Sequence, residues 1–470
     1  MRTPSDIDAT NGFHLARPGR IRLISRAIFI AIASAIYLLP SSITALFVWT
    51  SSGRKNVRRY FYRSLVRLLQ RLGPTFVKAG QIMSTRRDAL PSALCEELAV
   101  LHDRVRPMST KEIRQALEKA YRKGSKTLFQ QKQLEVVASG SIATVFRATM
   151  PDGKPVAVKL QRPDIAPRMI ADLALLEVLV RLAEHLPKCE GMPLGDLTAY
   201  VSTAILGQLD FVREAANLSR IRDGLSIIPG IRVPSIIFEA CRPGCLVMEF
   251  IPGLDSKNVK AYPPMWRKRF AQTALLAVRH MIFVDGFVHC DLHPGNLYIS
   301  CDGEIIILDA GFSVQLSDRV RQLMAEFFAA LAGGNGCRCA EIIIESAANK
   351  RHDTNLKGFI DAVVKLVNVY NGPSAANFEL MRFGDALFDL QRKFGLYAES
   401  DFAFPLMSLA VVENTVKSLS SELDLQELGR LDISRYTSLT TNAIPSSRQP
   451  EPTISQIGAV STSLKESYLN

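Results

Sequence analysis

The stretch HCDLHPGNLYISCDGEIIILDAG (residues 289–311) carries the pattern from which the fold of this chain can be predicted. Two apolar runs, NLYIS and EIIILD, flank Asp302-Gly303, a dipeptide typical of a β-hairpin turn. Asp291 and Asn296 stand at the start of the predicted hairpin, and Asp309 follows its second strand. The pattern therefore predicts a hairpin with oxygen-bearing side chains at its ends.

These side chains suit phosphoryl-transfer chemistry. Asp291 can accept a hydrogen bond from an attacking hydroxyl or water, and Asn296 and Asp309 offer oxygens to a cation. Oxygen ligands without thiolates favour Mg²⁺, with Mn²⁺ as the alternative. A structural loop capped by Asp and Asn is the competing interpretation. Zinc held by His289 and His293 would leave Asn296 and Asp309 unexplained, so the histidines are expected to support the loop by hydrogen bonding.

A second hairpin is predicted at residues 143–161, where ATVFRATMPDGKPVAVKLQ alternates around a Pro-Asp-Gly turn. Small residues precede it at Ala138, Ser139, Gly140 and Ser141. Small side chains let backbone N–H groups approach phosphate oxygens, although a tight hairpin end has the same composition.

Lys159 lies on the second strand of this hairpin. A lysine among apolar residues is costly unless it is paired, and Glu214 in LDFVREAAN is the expected partner. An edge-strand lysine in solvent is the alternative. Together the two hairpins predict that Lys159, Asp291, Asn296 and Asp309 serve one metal-bound triphosphate.

The chain is basic at one end. Its formal charge is +12, and residues 1–72 contain twelve basic and two acidic residues. Within that block, 27–53 has no charged residue and is long enough to span a bilayer. Pro40 allows a kinked span or a re-entrant hairpin, and a buried helix pair is the soluble alternative. The basic flanks favour anionic lipid headgroups rather than nucleic acid.

The eight cysteines include no CxxC pair, which argues against a zinc ribbon and points to a reducing compartment. The remaining periodicity predicts further helices, one strand and a tail rich in Ser and Thr that we expect to be disordered. The predicted helices are 54–72, 92–102, 110–121, 168–186, 196–222, 265–285 and much of 317–430, the strand is 245–253 and the tail is 431–470.

The fold class is accordingly α+β, a two-lobed arrangement with an N-terminal helical extension. We expect the following division: a basic N-terminal segment (1–26), a transmembrane or re-entrant segment (27–53), a helical extension (54–125), an N-lobe (126–251), a C-lobe (252–430) and a disordered tail (431–470).

At this point the chain resembles the UbiB/AarF family of atypical protein-kinase-like proteins, which includes mitochondrial members tied to coenzyme Q biosynthesis. FVKAGQIMSTRRDALP (76–91) matches the K-x-G-Q motif of that family, and VAVK, LDFVREAAN, HCDLHPGN and LDAGF follow. The resemblance covers roughly residues 60–430.

The resemblance implies a two-lobed kinase-like fold and an ATP site with Mg²⁺. It implies that Lys159 pairs with Glu214 and contacts phosphates, that Asp291 is the catalytic-loop aspartate, and that Asn296 and Asp309 hold Mg²⁺. Lys78 and Gln81 would lie on a helical extension that folds over the active site. Ala138, Ser139, Gly140, Ser141 and Glu249 complete the expected cofactor site.

Four positions depart from the family pattern. Gln208 and Asp210 stand where the family has E-x-D, so one acid is an amide. Gly140 replaces the usual alanine, Phe146 replaces a histidine, and Ala310 replaces the aromatic residue of the D-F-G triplet.

The resemblance implies a membrane-associated kinase or ATPase that supports ubiquinone or lipid metabolism, with quinone precursors or quinone-biosynthesis proteins as partners. The bacterial inner membrane is the expected location, with a mitochondrial membrane as the alternative. Two other functions stay open: a small-molecule phosphotransferase of the aminoglycoside or choline kinase type, and a non-catalytic lipid-binding protein that uses nucleotide as a switch.

Overall fold

The structure is a computed structural model. It describes residues 19–52, 54–84, 86–87, 90–101, 105–121, 134–185, 194–254, 262–292, 295–300, 302–350, 354–371 and 380–419. The predicted tail, the first 18 residues of the basic N-terminal segment and His293 lie outside these ranges. The chain divides into two compact units: Met1–Asn217 with Ser235–Phe250 (unit 1), and Leu218–Pro234 with Ile251–Asn470 (unit 2). The finer division into six segments stays a prediction.

The part of unit 1 that the structure describes starts with five helices. They are α1 (Arg20–Ser52), α2 (Arg54–Leu72), α3 (Pro74–Ser84), α4 (Ser92–Leu98) and α5 (Thr110–Tyr121). The helix α1 runs on through Pro40, so no hairpin turn is centred at that residue. Its first part, Arg20–Leu39, is long and apolar enough to cross a membrane by length and composition, and 11% of it is buried. A buried helix pair in a soluble core, the alternative named above, would be buried to a much larger extent.

A four-stranded antiparallel sheet follows in unit 1. Its strands are β1 (Glu135–Ser139), β2 (Ala143–Thr149), β3 (Pro155–Gln161) and β5 (Cys245–Glu249), in the order β1-β2-β3-β5. The predicted hairpin 143–161 is therefore present. Phe146, Val158 and Leu160 lie on the buried face and pack with Leu117 and Tyr121 of α5. This packing explains how an apolar Phe146 fits where the family has histidine.

Three helices complete unit 1 or lead out of it: α6 (Ile165–Glu184), α7 (Leu194–Leu209) and α8 (Phe211–Leu225). The prediction of a single helix at 196–222 is wrong, because the helix is interrupted at Asp210 and two helices form instead. The carboxylate of Asp210 accepts hydrogen bonds from the backbone N–H groups of Val212 (3.1 Å) and Arg213 (3.0 Å). An aspartate that caps a new helix in this way ends the preceding one.

The described residues of unit 2 form short strands, six further α-helices and one π-helical turn. The strands are β4 (Ile231–Arg232), β6 (Phe287–His289), β7 (Leu297–Ile299), β8 (Ile305–Ile307), β9 (Ser313–Gln315), β10 (Ala347–Lys350) and β11 (Leu396–Ala398). The helices are α9 (Pro264–His280), α10 (Asp318–Ala332), α11 (Gly336–Glu345), α12 (Leu356–Asn371), α13 (Leu380–Phe394) and α14 (Ser400–Leu419).

The predicted hairpin at 296–309 is present in unit 2. β7 and β8 pair antiparallel with Leu297 opposite Ile307, and β8 also pairs with β4. The helix predicted at 265–285 is α-helical only as far as His280. Met281–Asp285 form a π-helical turn, which ends at Gly286 with a positive φ of 62°. Such turns occur frequently at functional sites, and this one leads directly into β6.

Candidate functional site

Lys159 and Glu214 form a buried ion pair in unit 1. The Nζ of Lys159 lies 2.6 Å from Oε1 of Glu214, and the two side chains are 14% and 1% exposed. Lys159 is held on β3 between Val145 and Leu246, and its Nζ lies 5.2 Å from the centre of the Phe211 ring. Two charges removed from water are tolerated only as a well-formed pair, so this contact fixes the position of the lysine.

Asp210 and Gln208 lie at the junction of α7 and α8. Asp210 caps α8, the helix that carries Glu214, and the backbone N–H of Glu214 donates to the Asp210 carbonyl at 3.0 Å. Gln208 is buried in the last turn of α7. The acid that this chain keeps from the E-x-D pattern thus has a structural task close to the lysine's partner.

The small-residue loop at 139–141 is held by Arg162. Its Nε donates to the Gly140 carbonyl at 2.9 Å, and its Nη2 donates to Ser139 Oγ at 2.8 Å. The Gly140 N–H donates to the Ala143 carbonyl at 2.9 Å, and Ser141 is buried. Ala138 lies on β1 beside a bulge. Arg162 had not been singled out in the sequence, since an arginine after a strand carries no recognisable pattern.

Gly140 leaves room for the alanine that the family prefers. A Cβ built on Gly140 would have the Ala143 carbonyl oxygen, at 3.7 Å, as its nearest neighbour, an ordinary van der Waals distance. The glycine is therefore not required by crowding in this loop.

Glu249 ends β5 and is tied to the segment that begins at Ser235. Its Oε2 accepts hydrogen bonds from the Ser235 N–H and Oγ, both at 3.2 Å, and its own N–H donates to the Ser235 carbonyl at 2.8 Å. These bonds hold the end of the strand in place. A contact between Glu249 and a cofactor stays a prediction.

Lys78 and Gln81 lie on α3, which packs against α2, α4, α6 and α7 within unit 1. Gln81 Nε2 donates to the Leu101 carbonyl at 3.1 Å, and Lys78 is half-buried. Gly80 lies in close contact with Leu69, Leu98 and Leu101. Gln81 and Gly80 thus hold the extension together, whereas the role of Lys78 at the active site stays a prediction.

His289 connects the segment that carries Asp291 to the segment that carries Asp309, both in unit 2. Its Nδ1 accepts a hydrogen bond from the Asp291 N–H at 3.1 Å, so its Nε2 carries the proton and donates to the backbone carbonyl of Asp309. The ring is completely buried. His289 therefore supports the loop by hydrogen bonding, as the sequence predicted.

Asn296 and Asp309 present a donor set that fits Mg²⁺. Asn296 Nδ2 donates to the Asp291 carbonyl at 2.8 Å, so the amide oxygen is the atom that this residue can offer to a cation. Asp309 has a left-handed φ of 63°, and its Oδ1 accepts from the Gly311 N–H at 3.0 Å. Burial and the Asp309 charge raise the pKa of the nearby Tyr298. One amide and one carboxylate oxygen are the few protein ligands that Mg²⁺ takes beside phosphates.

The α14 helix supports this region in a way that the sequence did not reveal. Ser408 Oγ donates to the His289 carbonyl at 3.3 Å. Ser408 is separated from His289 by 119 residues, and a serine within an apolar helix gives no signal that it contacts a distant loop.

The sheet with its lysine–glutamate pair and the His-x-Asp loop with its hairpin define a kinase-like protein. A profile of the "ABC1 atypical kinase-like domain" matches residues 100–343. A Xylella fastidiosa (strain M23) protein named "Probable protein kinase UbiB" is 30% identical over 377 residues, which cover 78% of this chain and 68% of the relative. A protein of the same name from Cronobacter sakazakii is 32% identical over 376 residues, 76% of this chain and 67% of the relative.

A solved structure, the Rv3197–erythromycin complex from Mycobacterium tuberculosis, aligns with a TM-score of 0.48 at 20% identity and covers 73% of this chain and 90% of that one. From the profile and the sequence relatives, the chain belongs to the ABC1 atypical kinase-like family, and within it to the UbiB proteins.

Proposed function

We propose that this protein is a membrane-associated atypical kinase or ATPase that uses ATP with Mg²⁺ and supports ubiquinone or lipid metabolism. The observation that carries the proposal is the buried pair of Lys159 and Glu214. A buried lysine held at one fixed position by a carboxylate suits the charge of nucleotide phosphates, and family membership supports the same role.

Each residue then has a defined task. Lys159 binds phosphate oxygens, and the small side chains at 138–141 let this loop approach the phosphates. Asp291 accepts the hydrogen bond of the attacking hydroxyl or water. Asn296 and Asp309 hold Mg²⁺, which supplies positive charge against the phosphate oxygens when bound. The helical extension that carries Lys78 and Gln81 restricts access by protein substrates.

Membrane association is supported by α1 and its basic surroundings. The apolar Arg20–Leu39 stretch precedes an arginine-rich α2, and such a combination favours membranes with anionic lipids. The named relatives are bacterial, which supports a bacterial inner membrane as the location, and the proposed partners are quinone precursors or quinone-biosynthesis proteins.

The test is ATP hydrolysis by the purified full chain with Mg²⁺. Asp309→Asn should abolish turnover, because an amide cannot supply the charge that the cation needs. Asp302→Asn, in the exposed turn of the same hairpin, is the matched control and should keep wild-type turnover. Equal turnover in the wild type and Asp309→Asn would refute the assignment.

The same assay, with lipids or with soluble alcohols and amines added, distinguishes the two other candidate functions. Nucleotide binding without turnover, with lipids present, would favour the nucleotide-switched lipid-binding protein. Rapid turnover on a soluble alcohol or amine would favour the small-molecule phosphotransferase.

A further inference from the structure

A small cavity of about 270 Å³ lies between α1 and α6 in unit 1. Its lining includes three arginines, Arg22, Arg26 and Arg168, together with Ser25 and Asp164. Nothing in the kinase-like chemistry of the chain uses this cavity.

One of the three guanidinium groups is already engaged. Arg26 donates from Nε and Nη2 to the buried carboxylate of Asp172, at 2.5 and 3.0 Å, and from Nη2 to the Leu72 carbonyl at 2.5 Å. Asp172 also accepts from Thr75 Oγ1 at 2.6 Å. This network fixes Arg26 as part of the cavity wall.

The other two guanidinium groups are available to a ligand. Within the described part of the chain, the side chain of Arg22 makes no hydrogen bond or ion pair, and Arg168 makes one long hydrogen bond, 3.5 Å to the Leu72 carbonyl. Partial burial and the adjacent Arg26 charge lower the pKa of Arg168. The three arginines are accompanied by two aspartates, Asp164 in the lining and Asp172 paired with Arg26, so the cavity keeps an excess of positive charge.

An apolar surface begins beside the cavity. Six aliphatic side chains on one face of α1, at spacings of three and four residues, are 55–85% exposed: Ile21, Ile24, Ile28, Ile32, Ile36 and Leu39. The opposite face, with Ile30 and Ala33, packs on α2 and α3. From Ile28 to Leu39 the exposed face extends about 16 Å, close to half of the roughly 30 Å hydrocarbon core of a bilayer.

We infer that this cavity binds the phosphate of a membrane lipid headgroup, while the acyl chains of that lipid pack on the exposed face of α1. Guanidinium groups bind phosphate oxygens in pairs, which explains why arginines rather than lysines surround the cavity. The adjoining apolar face selects a lipid over a soluble phosphate. The inference deepens the membrane part of the proposed function and does not depend on ATP turnover.

The experiment uses the full chain purified in a neutral detergent. Thermal unfolding is followed while short-chain phosphatidylglycerol is added, and the shift in the unfolding temperature gives an apparent dissociation constant. Glycerol 1-phosphate, which has the phosphate without acyl chains, is titrated in parallel. Arg22→Gln and Arg168→Gln remove charges that line the cavity, and Arg20→Gln removes a charge from the same helix outside it.

We expect Arg22→Gln and Arg168→Gln each to weaken lipid binding about 10-fold, and Arg20→Gln to change it less than about 2-fold. Arg168→Lys should give an intermediate loss, because it keeps the charge but loses the paired hydrogen bonds. Arg22 is exposed, so its variant still tests the inference if Arg168→Gln fails to fold.

Equal weakening in all three Gln variants would overturn the inference, because bulk charge would then explain binding. Binding of glycerol 1-phosphate as tight as that of the lipid would also overturn it in favour of a soluble phosphate ligand. A wild-type protein that binds no phospholipid would remove the membrane part of the proposed function as well. ATP turnover of the same sample reports separately on the catalytic part.

Discussion

His289 donates a hydrogen bond to the backbone carbonyl of Asp309 and accepts one from the backbone N–H of Asp291. One neutral, fully buried imidazole thus joins the proposed catalytic acid to the proposed metal ligand. Because both bonds reach backbone atoms, the ring fixes where the two segments lie rather than taking part in the chemistry.

Replacing His289 should therefore misplace both acids. We expect His289→Leu to lower kcat for ATP hydrolysis about 100-fold and to raise the Mg²⁺ concentration needed for half-maximal activity, because small misplacements of reacting groups are costly. His185→Leu, at the exposed end of α6, is the control. A lower kcat with an unchanged Mg²⁺ requirement would contradict the positioning role towards Asp309.

The ion pair of Lys159 and Glu214 should behave as a unit. Glu214→Gln leaves a buried ammonium group without its counter-charge, which costs on the order of 3 kcal/mol, measured as faster hydrogen exchange of the β3 amides. Lys159→Met combined with Glu214→Gln should cost less than the two single changes added together. Additive losses would show that the pair contributes no coupling.

Two glycines should respond oppositely to alanine. Gly140→Ala should fold with a free energy of unfolding within about 1 kcal/mol of wild type, because its Cβ meets nothing closer than 3.7 Å. Gly80→Ala should lose about 1–3 kcal/mol, because its Cβ would overlap the Leu101 side chain and outweigh the better helix propensity of alanine. Urea unfolding of both variants checks this. A stabilised Gly80→Ala would contradict the close packing of α3.

The attachment of α1 to the rest of unit 1 should depend on Asp172. Asp172→Asn removes the charge that Arg26 faces and should cost about 3 kcal/mol, whereas Thr75→Val removes one hydrogen bond and should cost about 1 kcal/mol. Limited proteolysis and hydrogen exchange of α1 report the difference. Equal protection in both variants would mean that the apolar contacts of α1 alone hold it.

The start of α5 should show a pH-dependent stability. The Ser109 N–H and Oγ donate to Glu112 Oε2, each at 2.7 Å, and these bonds lower the pKa of Glu112. A lowered pKa in the folded state stabilises α5 above about pH 4.5, and the effect is lost as the pH falls through the folded pKa. Ser109→Ala should therefore increase hydrogen exchange in α5 near neutral pH more than at pH 3. An equal increase at both pH values would contradict the linkage.

The sequence by itself was sufficient for the two hairpins and for the helix at 110–121, whereas it named Glu214 as the expected partner of Lys159 and left a solvent-exposed lysine open. Strand alternation and turn dipeptides are local rules, and they hold wherever the segment lies. The same rules predicted one helix at 196–222 where two form. The apolar pattern of this segment does not show that Asp210 caps α8.

Only the tertiary structure decided which distant residues meet. Arg26 and Asp172 are 146 residues apart, and Ser408 and His289 are 119 residues apart, so no periodicity relates them. The same holds for the arginine cavity, whose wall comes from two helices that chain order separates widely. A sequence pattern records the needs of one segment, whereas a contact depends on how segments pack, and that is determined by the free energy of the whole fold.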